Sequence, residues 1–177
     1  MKFQDVKQFP NIHYRVNMPL TFIPKRIKEW VGEGLGNNLQ LNPDFQRGNV
    51  WTKNQQIKYI EYLLKNPTSG RDIYFNHSNW MGSWKGDFVM VDGLQRLTAV
   101  LKFMNNKIKI YGKYLNEYKD ELPISLDLIF NIATLKTRKE VLQWYLDFNT
   151  GGTIHSKEEI KKVKQLLKKE DLENEKF

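Results

Sequence analysis

Residues 92–96, Asp-Gly-Leu-Gln-Arg, are the part of the chain whose residue types are best suited to chemistry. They follow the apolar run Val89–Val91 and precede an amphipathic helical pattern, so they lie where a strand becomes a helix. In α/β folds, ligands bind outside the carboxyl ends of strands. A helix N-terminus adds unpaired N–H groups and the positive end of the helix dipole, both of which suit phosphate. The junction therefore predicts a phosphate-binding turn.

Each polar residue of this turn has a role that such a site requires. Gly93 lets a ligand approach the backbone closely because it has no Cβ, and Gln95 can donate and accept hydrogen bonds. Arg96 can clamp two phosphate oxygens with its planar fork. Asp92 can hold Mg²⁺ or a ribose hydroxyl, or orient an attacking water. Taken alone, the five residues fit a helix cap, a turn glycine and a surface charge equally well.

A second polar segment, residues 42–51 (NPDFQRGNVW), repeats the Gln-Arg pair as Gln46 and Arg47 between Phe45 and Trp51. An arginine beside aromatic rings can bind phosphate while a base stacks nearby. The alternative has the aromatic residues in the core and Arg47 paired with a carboxylate. We expect the core role for the aromatic residues and a binding role for Arg47.

A third polar segment, residues 147–160, contains Asn149 and the pair Gly151 and Gly152 between two helical patterns. These residues can form a backbone nest for an anion, or a turn that only ends a helix. His155 in this segment is expected to be a packing or hydrogen-bonding residue. The three histidines of the chain, at 13, 77 and 155, do not have the spacing of metal ligands, so no zinc site is predicted.

The loop at residues 78–87 contains Trp80 and Trp84, which are unusual in an exposed connection. One interpretation is that both side chains fold back onto the core. The other is that they form a mobile lid or a patch that contacts a partner.

The elements that must position these segments alternate between helices and strands. Capping boxes at Thr52/Gln55, Thr137/Glu140 and Ser156/Glu159 predict three helix starts. Further helices are predicted at 23–31 and 93–105, and strands at 71–77, 87–92, 107–112 and 126–134. This order predicts one compact mixed α/β domain at residues 21–170, with an N-terminal extension at 1–20 and a frayed tail at 171–177.

Composition limits the class of protein further. The 177 residues carry a net charge of +8, with a pI near 9.5, and include no cysteine. A disulfide scaffold and a thiolate site are thereby excluded, and no apolar run is long enough to cross a membrane. A cytoplasmic protein with a polyanionic partner is expected, the alternative being a basic protein without one. The lysines of the last helix alternate with glutamates, which indicates a solvated face and not a nucleic-acid cleft.

The three polar segments in this order, at 43–51, 92–97 and 148–160, resemble the N-terminal domain family of GmrSD-type modification-dependent restriction systems. The resemblance extends from about residue 20 to 165. It implies a ParB/sulfiredoxin-like fold, a small mixed sheet flanked by helices, and a D-G-Q-Q-R motif that supports NTP hydrolysis. In such systems this activity is tied to a nuclease domain on the same or a partner chain.

Carried over by the resemblance, the catalytic residues are Asp92, Gln95 and Arg96, with Asp92 as the candidate Mg²⁺ ligand. The nucleotide phosphates would be held by Gly93, Gln46, Arg47, Asn149, Gly151 and Gly152. One residue departs from the motif, since Leu94 stands where the family has its first glutamine, and leucine cannot make the hydrogen bonds of an amide. No H-N-H-type nuclease segment follows, so we expect any nuclease action to come from a partner.

Three functions fit these observations. The first is a nucleotide-binding domain with Mg²⁺-dependent NTPase activity that acts as a switch in nucleic-acid-directed processes such as restriction or phage defence. The second is a DNA-binding or nicking protein that uses Arg47, Arg96 and surface lysines, although no carboxylate cluster suits a two-metal nuclease. The third is an inactive adaptor or inhibitor that contacts a partner through Trp80 and Trp84.

Overall fold

The computed structural model describes residues 2–6, 8–32, 38–150 and 157–174. Four strands form one sheet: β1 (Ile12–Pro19), β2 (Asp72–His77), β3 (Phe88–Asp92) and β4 (Asp127–Ala133). Five helices surround it: α1 (Ile23–Val31), α2 (Lys53–Leu63), α3 (Leu94–Met104), α4 (Arg138–Thr150) and α5 (Lys157–Asn174). The mixed α/β fold expected from the sequence is confirmed.

The sheet has the strand order β1-β4-β2-β3 and contains both kinds of pairing. The central strands β2 and β4 are parallel, whereas β1 pairs with β4 and β3 pairs with β2 in antiparallel fashion. Every residue of β4 is buried, as expected for a strand covered on both faces. In the β2–β3 register Tyr74 lies opposite Asp92, so the predicted phosphate turn is at the end of an edge strand.

Apolar residues cover both faces of the sheet and form two cores. Alternation along β3 shows this directly, because Phe88 and Met90 belong to the first core and Val89 and Val91 to the second. The first core is closed by α1, α2 and α3, and the second by α4 and α5. The strand-to-helix turn thus lies between Val91, which belongs to the second core, and Leu94, which packs against the first.

Two of the three predicted capping boxes are present in the described residues. The Thr52 side chain accepts a hydrogen bond from the Gln55 backbone, and the Gln55 side chain accepts one from the Thr52 backbone. Glu140 accepts hydrogen bonds from the backbone N–H and the hydroxyl of Thr137 in the same way at the start of α4. The third box involves Ser156, which lies outside the described residues.

The strand predicted at residues 107–112 is wrong. Ile108 and Ile110 are buried in the first core, as a strand pattern would place them. However, Tyr111 and Gly112 both adopt positive φ, at 48° and 79°, and the chain turns back on itself after one isolated bridge between Ile110 and Lys113. The alternating apolar residues here anchor a tight turn. The chain reverses direction directly after Ile110, and the single bridge to Lys113 is too short to form a strand ladder.

Both chain ends also differ from the predicted boundaries. Strand β1 lies within the segment assigned to an N-terminal extension, yet it pairs with β4 over residues 12–19 and belongs to the sheet of the domain. At the other end, α5 continues to Asn174, and Asp171 makes an ion pair with Lys139 of α4. Residues 171–174 are therefore part of α5, and the first of them contacts α4.

Candidate functional site

The N-terminus of α3 is built around Gly93, which occupies the N-cap position with φ 102° and ψ 8°. A Cβ at this position would lie 2.6 Å from Cδ1 of Ile73 and 3.2 Å from its Cα, so β2 leaves no room for a side chain. No side chain caps the helix, and its first turn has no acidic residue. The first-turn N–H groups consequently have neither intrahelical nor side-chain acceptors, which suits them to an anion.

Arg96 and Asp92 form an ion pair one helical turn apart. Nη2 of Arg96 donates to Oδ2 of Asp92 at 2.6 Å, and both side chains are only partly exposed. Nε of Arg96 is buried and has no hydrogen-bond partner among the described residues. Buried donors are rarely left unsatisfied in proteins. Asp92 thus holds the guanidinium in place, and the Arg96 side chain, which is 26% exposed, lines the cleft.

The side chain of Gln95 is hydrogen-bonded to the loop at residues 48–51. Its Oε1 accepts hydrogen bonds from the backbone N–H groups of Val50 and Trp51, at 3.0 and 3.1 Å. Its Nε2 donates to the carbonyl of Gly48 at 3.0 Å. Both lone pairs of the oxygen are occupied, so the amide cannot accept a hydrogen bond from a water molecule without releasing the loop. The sequence predicted a catalytic role for Gln95, but its observed contacts are those of a loop clamp.

Gln46 makes a similar structural contact, in this case with strand β3. It is only 9% exposed, and its Nε2 donates to the carbonyl of Met90 at 2.5 Å. Phe45 beside it is buried in the second core, with its ring 5.2 Å from that of Tyr145. Trp51 packs against Tyr59 at a ring distance of 5.5 Å. These residues anchor the second polar segment against β3 and α2, as expected for its aromatic residues.

Arg47 lies at the edge of the site and faces a carboxylate. Its Nη1 is 3.7 Å from Oε2 of Glu159 in α5, and both side chains are less than one third exposed. Nearby, burial and, to a smaller extent, the charge of Glu159 raise the pKa of the Tyr145 hydroxyl to about 12, while the charge of Arg47 opposes the rise. Tyr145 therefore remains protonated at neutral pH, and Arg47 is a cation held by a long ion pair.

The third polar segment contributes the end of α4. Asn149 donates from Nδ2 to the carbonyl of Tyr145 at 2.6 Å, one turn earlier in the helix. Phe148 packs against Phe9 and Tyr74, at ring distances of 5.6 and 4.7 Å. Gly151 and Gly152 lie outside the described residues, so their predicted role stays a prediction.

The three polar segments meet at one cleft of about 320 Å³. Its lining comes from all three segments and consists of Gln46, Arg47, Trp51, Val91, Asp92, Gly93, Leu94, Gln95, Arg96, Tyr145, Phe148 and Asn149. Two arginines, one carboxylate and an open helix end face one another here, beside an aromatic wall. Tyr145 and Phe148 were not among the residues predicted to form the site. The available signal was the position of Tyr145, which is three residues before Phe148 and four before Asn149, because residues three and four apart lie on the same side of a helix.

The cleft does not contain a complete metal site of its own. Among residues 2–6, 8–32, 38–150 and 157–174, no group of three or more His, Cys, Asp or Glu side chains could hold a metal ion. Mg²⁺ in phosphate-binding sites is commonly held by one or two carboxylates, with the remaining ligands from phosphate oxygens and water. The single carboxylate of Asp92 fits that arrangement, whereas zinc or a two-metal centre would need more protein ligands.

The two tryptophans of the loop at 78–87 have different environments, and neither lines the cleft. Trp80 is 6% exposed and belongs to the first core, where it packs against Trp30 and Phe88. Trp84 is 38% exposed and lies with its ring 4.6 Å from that of Trp80. Trp80 thus follows the interpretation in which the loop folds back onto the core, and Trp84 covers it from outside.

Fold and cleft together define a mixed α/β domain with a cleft at a strand-to-helix turn, which two arginines and an uncapped helix N-terminus make suitable for an anion. The chain belongs to the family described as GmrSD restriction endonuclease, N-terminal domain, whose model matches residues 27–177. This family connects the protein with restriction and defence systems. Comparison with the curated proteins and with the solved structures gives no match. In the described part of the chain, no helix has both the length and the apolar character needed to cross a membrane.

Proposed function

We propose that the domain binds a nucleoside triphosphate in the cleft and hydrolyses it with Mg²⁺, as a switch within a restriction or defence system. The observation that carries the proposal is the convergence of Arg47, Arg96 and the uncapped end of α3 on one cleft, which Asp92 also lines. Anionic phosphates are favoured there by two cations and by the helix dipole. The aromatic wall of Trp51, Tyr145 and Phe148 provides an apolar surface for a base.

Each residue has a distinct task in this proposal. Arg96 binds phosphate oxygens through the part of its guanidinium that Asp92 does not use, and Arg47 exchanges its 3.7 Å contact with Glu159 for a phosphate. Asp92 holds Mg²⁺ at the phosphates or orients the attacking water. When bound, Mg²⁺ would neutralise charge on the phosphate oxygens. Gln95 acts indirectly, because its amide holds the loop that carries Trp51.

A second candidate function is nucleotide binding without turnover. Two observations favour it. The side chain of Leu94 offers no hydrogen bond to the cleft, and the amide oxygen of Gln95 already accepts hydrogen bonds from the backbone N–H groups of Val50 and Trp51. A domain of this kind would report nucleotide occupancy to a partner nuclease and leave the phosphates intact.

Both candidates are tested by measuring nucleotide affinity and phosphate release on the same samples. ATP, GTP, CTP and UTP are titrated with and without Mg²⁺, followed by release assays with and without DNA. Arg96→Ala should weaken binding at least about tenfold, since a charge-assisted pair contributes about 1.5–3 kcal/mol. Arg26→Ala is the matched control, because Arg26 pairs with Glu29 on the surface of α1, away from the cleft.

The outcomes separate the two candidates. Binding and release that Arg96→Ala abolishes and Arg26→Ala preserves would establish the NTPase. Binding that depends on Arg96 without release from any nucleotide would establish the binding-only function. If no nucleotide binds, or if both arginine variants bind as the unmodified protein does, the phosphate assignment is wrong.

A further inference from the structure

The charges of α5 are separated in three dimensions, although they alternate in sequence. Three of its four acidic residues between 158 and 172 make ion pairs with basic side chains elsewhere in the domain. Glu159 pairs with Arg47, Glu170 with Arg138 at 3.1 Å, and Asp171 with Lys139. These acids form ion pairs that hold α5 to the rest of the molecule, so they do not neutralise the lysines of the helix.

The lysines of α5 are left on the solvent side. Lys161, Lys162, Lys164 and Lys168 are all exposed, and none of them makes an ion pair with an acid among the described residues. At 100° per residue, positions 161, 164 and 168 fall on one line, which spans about 10 Å along the helix axis. Glu158 is the one exposed acid near this line, at its first turn.

We propose that this lysine face of α5, formed by Lys161, Lys162, Lys164 and Lys168, binds the phosphate backbone of a nucleic acid duplex. Flexible point charges in a row suit a uniform row of phosphates, and the net charge of +8 steers the whole domain towards a polyanion. The surface lies outside the nucleotide cleft. It is therefore independent of the proposed nucleotide function.

The composition of the face argues against two other partners. An amphipathic helix binds a lipid surface through an exposed apolar side, but the apolar side of α5, including Ile160, Val163 and Leu167, is packed in the second core. Protein interfaces are centred on aromatic or aliphatic anchors and are depleted of lysine. The lysine face has no such anchor between residues 161 and 168.

The test compares two triple variants that remove the same charge. Lys161→Ala/Lys164→Ala/Lys168→Ala removes the lysine line, and Lys25→Ala/Lys58→Ala/Lys65→Ala removes exposed lysines on the α1 and α2 side of the sheet. Binding of a labelled 20-base-pair duplex of mixed sequence is measured by anisotropy from 50 to 300 mM salt, without nucleotide. Vesicles with and without anionic phospholipid are titrated in parallel.

We expect the first triple variant to bind DNA at least about tenfold more weakly and to lower the salt slope by about 2–3, since each phosphate contact contributes about 0.9. The second triple variant should keep most of the DNA affinity and most of the salt slope. Lys161→Arg/Lys164→Arg/Lys168→Arg should restore binding, because it keeps the charges.

The proposal is overturned if the unmodified protein does not bind DNA at 50 mM salt, or if both alanine variants lose affinity equally. It is also overturned if the arginine variant fails to rescue, or if the α5 substitutions affect vesicle binding and leave DNA binding unchanged. None of these results bears on nucleotide binding, which is measured separately.

Discussion

At the scale of single residues, contacts assign roles that residue types leave open. Gln95 and Gln46 are both amides in predicted motifs, and both are bonded to backbone groups of neighbouring segments. Arg96 and Arg47 differ from them, because each lines the cleft and, among the described residues, pairs with a single carboxylate. The guanidinium groups are therefore the better candidates for ligand contact, and the amides hold the surfaces that surround the ligand.

The clamp role of Gln95 predicts a specific change in hydrogen exchange. Gln95→Ala should speed exchange of the Val50 and Trp51 amides about fivefold or more, because those N–H groups lose their acceptor, and a lost hydrogen bond is about 1 kcal/mol or more. Gln95→Glu should leave them protected, since a carboxylate still accepts both bonds. Asn149→Ala serves as the control in the same cleft. Unchanged protection in Gln95→Ala would show that the loop is held by other contacts.

At the scale of elements, the junction of β3 and α3 controls the site. Gly93 has positive φ, and β2 is packed directly against it through Ile73. A side chain there would need either a shifted strand or a tilted helix, and both would move the first-turn N–H groups. The geometry of the candidate site thus depends on close contact between Ile73 of β2 and the turn at Gly93, 20 residues later in the chain.

Gly93→Ala should consequently destabilise the domain by about 2–4 kcal/mol, through left-handed strain together with overpacking against Ile73. The matched control is Gly112→Ala, which has a similar φ of 79° but no atom within 4 Å of the added Cβ. It should cost only about 1 kcal/mol for the backbone conformation. Urea unfolding of the three proteins measures both values. Equal losses in the two variants would mean that contact with β2 contributes nothing.

At the scale of the whole molecule, stability should depend on the protonation of one buried histidine. His77 is fully buried among aromatic rings, its Nδ1 accepts from the Asn79 backbone, and its Nε2 has no partner among the described residues. Burial lowers the pKa of His77 below its usual value, and the charge of Asp87 opposes this shift only in part. The unfolded chain therefore takes up the proton first as the pH falls.

The free energy of unfolding should decrease as the pH falls below about 6.5, because protonation then favours the unfolded state. This loss continues until the pH reaches the lowered pKa of the folded protein. His77→Phe should flatten the dependence between pH 7.5 and 5.5, whereas the exposed His13→Phe should retain it. Chemical unfolding at several pH values provides the comparison. A slope that His77→Phe leaves unchanged would assign the pH dependence to other groups.

Local features of the sequence determined most of the elements and predicted the segments that line the cleft. A capping box predicts the start of a helix from local sequence alone, because its two residues are three positions apart and form hydrogen bonds with each other, as Thr52 and Gln55 do. The turn at residues 92–96 was likewise predictable from the sequence, since strand, glycine and helix follow one another along the chain. The family resemblance agrees with the family that the comparison shows.

Only the tertiary structure decided which groups at that site are already occupied. Gln95 meets its three partners across about 45 residues, and Glu159 meets Arg47 across more than 100, so no local pattern records either contact. The same holds for β1, which is a strand because β4 lies beside it, and for the acids of α5, which pair away from their own helix. Chain neighbours are specified by sequence alone, whereas hydrogen bonds and ion pairs between distant segments exist only once packing brings them together.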